Sequence, residues 1–109
     1  MEIIAERRLE VQYPDGALVP VCIRVGRPMA HPKRDYVCPV QAEGLRLWQG
    51  PKDFVGVDSF QALTLGLRFL YEMLSTEVER GAVLYWERTK QPLDLMNLFS
   101  LQNHLGSGG

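Results

Sequence analysis

Two cysteines, two histidines and a net charge of −1 give this 109-residue chain little of what a metal centre, a disulfide framework or a nucleic-acid surface needs. Cys22 and Cys38 have no CxxC spacing and no clustered histidine, which argues against zinc and redox motifs. Both are expected to be free thiols in a reducing compartment, although a hairpin centred near Ala30 would set them opposite each other. His31 and His104 are far apart and belong to no ligand motif, so neither metal nor cofactor is expected. Twelve basic against thirteen acidic residues remove the broad positive field of a protein that lives on nucleic acid or anionic membrane. The longest apolar run, Ala17 to Ile23, falls far short of the roughly 18 residues a membrane span requires. The first residues lack the basic-then-apolar order of a signal peptide, so the expectation is a cytoplasmic protein.

The composition is that of one compact domain: 46% hydrophobic and 23% charged residues. Residues 1–105 are read as that domain, and Gly106-Ser107-Gly108-Gly109 as a flexible linker or expression remnant. Leu9, Val11 and Tyr13 alternate with polar residues, Pro14-Asp15-Gly16 supplies a turn, and Val19, Val21, Ile23 and Val25 alternate again. This pattern predicts a β-hairpin. A third strand is expected from Tyr36 through Ala42, resuming at Leu45 to Trp48, after a loop from Arg27 to Arg34. Pro20 and Pro39 lack the N–H of a central ladder and are expected at edge-facing positions or bulges.

Gln49 to Val57 reads as a loop that ends at Asp58, whose carboxylate can accept the first free helix N–H groups, with Gln61 completing a capping box. The helix is predicted to run to Arg80, with Gly81 ending it in the left-handed conformation. Ala82 to Trp86 reads as a fourth strand. Pro92 then opens a second candidate helix with His104 near its end; Leu93, Leu95, Phe99 and Leu101 also fit one face of a strand, but polar residues recurring every third position favour the helix. The predicted fold is therefore α+β: a four-stranded, mainly antiparallel sheet with one long helix on a face and a short C-terminal helix.

The long helix has a narrow polar stripe, Gln61, Thr64, Arg68, Glu72, Ser75 and Glu79. Its apolar arc spans roughly 240°, well beyond what one packed face requires. The sheet covers part of that arc. The flank carrying Phe69 and Met73 needs a second cover, either the C-terminal residues Leu95, Leu98 and Phe99 or another protein chain. Glu77 and Glu79 point apart on a helix and do not form a carboxylate dyad.

Two surfaces are candidates for partner binding. Arg24, Arg27, His31, Lys33 and Arg34 form the densest positive stretch, suited to carboxylates or phosphates. The segment from Trp48 to Asp53, with Lys52, offers an aromatic anchor of the kind enriched at interfaces. No GxSxG, phosphate-binding loop or spaced acidic motif is present.

Gly56-Val57-Asp58-Ser59-Phe60-Gln61-Ala62-Leu63 resembles the motif G-x-D-S-[LF]-Q-A-L of an uncharacterised family of small bacterial domains, in which a strand-rich half precedes the helix. The resemblance spans Ile4 to Trp86 and includes Val37-Cys38-Pro39-Val40 and Gly44-Leu45. Such a motif identifies a helix opening and a packing arrangement, not an activity. What the resemblance implies is a non-catalytic protein-binding domain, an immunity protein or antitoxin that occludes a toxin. The alternatives are a homodimeric structural or regulatory domain and, less favoured, a small enzyme using His31, Asp35 and Cys38.

Overall fold

The computed structural model describes residues 1–100, so His104 and the expectations for the tail lie outside the described residues. Six strands and two helices follow in the order β1 (Ile3–Gln12), β2 (Leu18–Gly26), β3 (Met29–His31), β4 (Arg34–Glu43), β5 (Lys52–Gly56), α1 (Ser59–Glu79), β6 (Val83–Trp86) and α2 (Leu95–Leu98). The predicted hairpin forms, closed by a bond from Gly16 N to Tyr13 O of 2.9 Å.

All pairings are antiparallel. Tyr36 and Val37 pair with both β3 and β5, and Val40 pairs with both β2 and β5. A strand has only two edges, so β2 and β3 share one edge of β4 and β5 takes the other. The sheet thus runs β6, β1, β2 with β3, β4, β5, and the α+β class holds with more strands than the four expected.

Two segments read as loops are strands. Met29–His31 continues the β2 line beyond Pro28, and Lys52–Gly56 pairs with β4 from Val40 to Tyr36. Conversely, Leu45 to Trp48 is not a resumed strand: Leu45 N bonds back to Ala42 O and Trp48 N to Leu45 O, making successive turns. Pairing of β2 with β4 stops at Val25 and Val40, next to Pro39, which has no N–H to offer Gly26. The Cys38 thiol donates instead to the Gly26 carbonyl at 3.4 Å. The hairpin turns at Pro32-Lys33 rather than Ala30, so Cys22 lies opposite Glu43 and Cys38 opposite Phe54. The two free thiols are therefore not cross-strand partners.

Helix α1 begins as its sequence dictates. Asp58 Oδ1 accepts from Gln61 N at 2.8 Å, and Gln61 Oε1 accepts from Val57 N at 2.7 Å, one residue before the cap. At the other end, Gly81 N bonds to Val78 O and Ala82 N to Glu77 O, with Gly81 at φ +101°, a Schellman stop that only glycine makes without strain. Ala62, Gly66, Leu70, Leu74 and Glu77 form the buried row facing the core.

The cover over the Phe69 flank differs from the expected one. Phe69 packs edge-on to Trp48 at 5.6 Å and against Phe54 at 5.3 Å, so the turn after β4 and strand β5 shield it. Phe99 lies on the other side of the helix, edge-on to Tyr71 at 5.3 Å, while Leu93, Leu95 and Leu98 pack into the central cluster. The second shield is real, but it comes from the middle of the chain.

Both thiols sit in surroundings that suppress their reactivity. Burial pushes Cys22 and Cys38 above the usual thiol range, with Asp53 adding to the effect at Cys38. Since the thiolate is the reactive species, a disulfide reagent at neutral pH is expected to modify Cys22 slowly and Cys38 only after denaturation. Immediate reaction of two thiols in the native protein would contradict this packing.

Candidate partner-binding surface

The positive stretch does not assemble into one patch. Arg24 lies on the outer face of β2, where Glu6 of β1 and Glu43 of β4 accept from it at 3.2 and 2.6 Å. The Arg24 hydrogen bond holds the Glu6 carboxyl below its ordinary value. This charge is engaged in a ladder across three strands, with its side chain still partly exposed. Arg27 pairs loosely with Glu2 at 3.6 Å. Lys33 and Arg34 remain at the β3–β4 tip with no ion pair among the described residues. There His31 Nδ1 accepts from Lys33 N at 3.1 Å, so the imidazole is occupied in shaping the turn. Cys38 is fully buried and bonded to Gly26, and is not brought together with His31 and Asp35.

The second expected surface is rearranged rather than dissolved. Trp48 is 5% exposed and belongs to the core, which corrects its reading as a surface anchor. Its Nε1 has no hydrogen-bond partner among the described residues, and the Lys52 ammonium lies 5.7 Å from the ring centroid. Asp53 is exposed and makes no ion pair among the described residues.

Asp53 lines a groove of about 370 Å³ between β5 and α1. Phe54 and Val55 come from the strand; Leu65, Arg68, Phe69 and Glu72 come from the helix. Two glycines set its geometry. A Cβ on Gly56 would collide with the Ala62 backbone nitrogen, and one on Gly66 would come within 2.8 Å of Val40 Cγ2 and 3.2 Å of Phe54. The bare backbone at both positions lets the helix start press against the end of β5 and its second turn lie close on the sheet. Trp48, Phe54 and Phe69, packed tilted and edge-on, support the groove, and Arg68 and Glu72, paired at 3.1 Å, form its helical rim. Among the described residues β5 pairs only with β4, so its second edge is unpaired along this groove.

The sequence pattern held a signal for this site. The groove wall lies where the polar stripe of Arg68 and Glu72 meets the apolar flank of Leu65 and Phe69, a boundary visible in the helical periodicity. Phe54 and Val55 were missed because their strand was read as loop. A second hollow of about 360 Å³, lined by Thr64, Leu67, Arg68, Tyr71 and Phe99, lies on the opposite flank of α1.

This curled antiparallel sheet with its close-set helix coincides with a known pattern of sequence: a family model for a domain of unknown function, DUF6968, matches residues 5–96. The chain belongs to the DUF6968 family. The match begins one residue after the start of the resemblance at Ile4 and runs ten residues beyond its limit at Trp86, as far as the second residue of α2. No curated protein and no solved structure matches the chain. No helix of the described residues is long and apolar enough to cross a membrane, and no cluster of three metal-ligating side chains occurs among them.

Proposed function

We propose that this DUF6968 domain is a non-catalytic protein-binding module of the bacterial cytoplasm, and that it acts as an immunity protein or antitoxin by covering the working surface of a toxin. The supporting observation is a concentration of exposed apolar side chains where β5 runs into α1. Phe60 is 73% exposed, Val57 69%, Val55 40% and Leu65 39%. A monomeric protein rarely leaves such residues together in water unless something covers them in use. An occluding interface of roughly 1,200–2,000 Å² is within reach of this face. Lys33 and Arg34, without an ion pair among the described residues, suit carboxylates on the rim of a partner and raise its association rate.

The test is co-expression with the product of the adjacent gene in the source genome. That product is expected to arrest growth alone and to be neutralised by this chain, with neutralisation lost in Phe60→Glu. Continued arrest in the presence of folded wild-type chain would refute the role.

A second reading, a homo-oligomeric structural or regulatory domain, has its own support. β6 meets β1 only at Leu9–Gln12, so among the described residues Ile3 to Arg8 have an unpaired outer edge, on which Ile3 and Ile4 are about half exposed. Sedimentation at high concentration separates the two: a strict monomer rejects self-association.

A further inference from the structure

The geometry points to the β5–α1 groove as a receptor for an extended segment of a partner protein, added as a further strand on the open edge of β5 and carrying apolar residues beside a lysine or arginine. This inference rests on the protein-binding reading and names its surface and the form of its partner. An unpaired strand edge presents backbone N–H and C=O groups at strand spacing, and only another extended backbone satisfies them in series. A helix laid in the same groove would satisfy its own backbone and leave those of β5 to water.

The side chains add specificity to this backbone demand. Residues of an added strand alternate between two faces, so every second side chain turns toward α1. There it meets Leu65, 39% exposed, and half-buried Phe69. Val55 offers apolar contact from the strand itself. Among the described residues Asp53 is the groove's one charge without an ion pair, since Arg68 and Glu72 neutralise each other. A cation on the incoming strand completes Asp53, whereas a carboxylate there meets like charge. The support beneath is rigid: rings of Trp48, Phe54 and Phe69 lie within 6.5 Å of one another, and Gly56 and Gly66 hold the helix at its short distance. Such preorganisation reduces the ordering that binding would otherwise require.

The experiment uses the full chain and a random heptapeptide library displayed on phage. Enriched peptides are expected to alternate apolar with polar residues and to carry lysine or arginine. A synthetic peptide from the enriched set is expected to lose at least tenfold in affinity when its alternate backbone nitrogens are methylated, a change that needs no variant of the protein. Leu65→Glu, at an exposed position, is expected to produce a similar loss, and Asp53→Lys to remove the preference for basic residues. Absence of enrichment, equal binding of the methylated peptide, unchanged binding to Leu65→Glu, or a dimer of the chain dissolved by Leu65→Glu would each overturn the inference. Failure of toxin neutralisation with peptide capture intact would instead reject the cellular role and leave the receptor standing.

Discussion

Gly56→Ala is expected to destabilise the protein by about 3 kcal/mol, the upper range for overpacking a tight contact. The added methyl meets the Ala62 backbone nitrogen, which cannot rotate aside as a side chain does. Relief requires the first turn of α1 to lift from the end of β5. Gly66→Ala makes an instructive comparison, because its methyl meets side chains, Val40 Cγ2 at 2.8 Å and Phe54 at 3.2 Å. Alanine also recovers roughly 1 kcal/mol of helix propensity there, offsetting much of the strain. Urea unfolding of the two variants is expected to rank Gly56→Ala as much the more damaging. Equal stability of Gly56→Ala and wild type would mean that the helix does not sit on the strand as described.

Tyr13→Phe is expected to cost about 2–3 kcal/mol, more than one ordinary hydrogen bond, because it strands a buried charge-bearing group. The Tyr13 hydroxyl donates to Glu77 Oε2 at 2.9 Å and accepts from Arg46 N at 2.9 Å, joining the hairpin, the turn after β4 and the last turns of α1. Arg46 stacks its guanidinium 3.9 Å from the Tyr13 ring centroid and reaches Asp15 at 2.9 Å. Glu77 is the only buried charged residue among those described, 4% exposed. Removing the phenol oxygen leaves its carboxylate without this donor. Replacing Glu77 by leucine in the Tyr13→Phe background is expected to recover part of the loss, so a double-mutant cycle from chemical denaturation reads the coupling directly. Burial, and then the hydrogen bond to Glu77, also push the Tyr13 phenol above its usual value. A raised folded-state value favours the protonated form, so this contribution is intact below about pH 10 and is lost as pH rises further. Tyr13→Phe is expected to abolish that component of the alkaline decline.

The contrast between these sites and the sequence pattern is physical. Helix α1 was legible because its signals are local: a 3.6-residue period, Asp58 and Gln61 at its start and Gly81 at its end. The β1–β2 hairpin was legible for the same reason. Strand β5 was not, since Lys-Asp-Phe-Val-Gly between Pro51 and Val57 buries only Gly56 fully and Lys52 and Phe54 in part. Its extended form is imposed by β4, distant in the chain. The same nonlocality explains Arg24, whose neighbours Glu6 and Glu43 are set by two strand registers. The excess apolar circumference of α1 correctly implied another shield for Phe69, yet proximity in sequence favoured the wrong one. Trp48 illustrates the limit of residue type alone: an indole suited to an interface closes the core, and exposed Asp53 a few residues on lines the groove.

The interruption at Gly26 and Pro39 divides the long β2–β3–β4 hairpin into two lengths meeting at a crease. Across it, β5 pairs without a break from Val40 to Tyr36 and serves as a splint. One residue past the end of that splint, Val57 shares a hollow with Lys33 and Arg34, so β5 ties the hairpin tip to the start of α1.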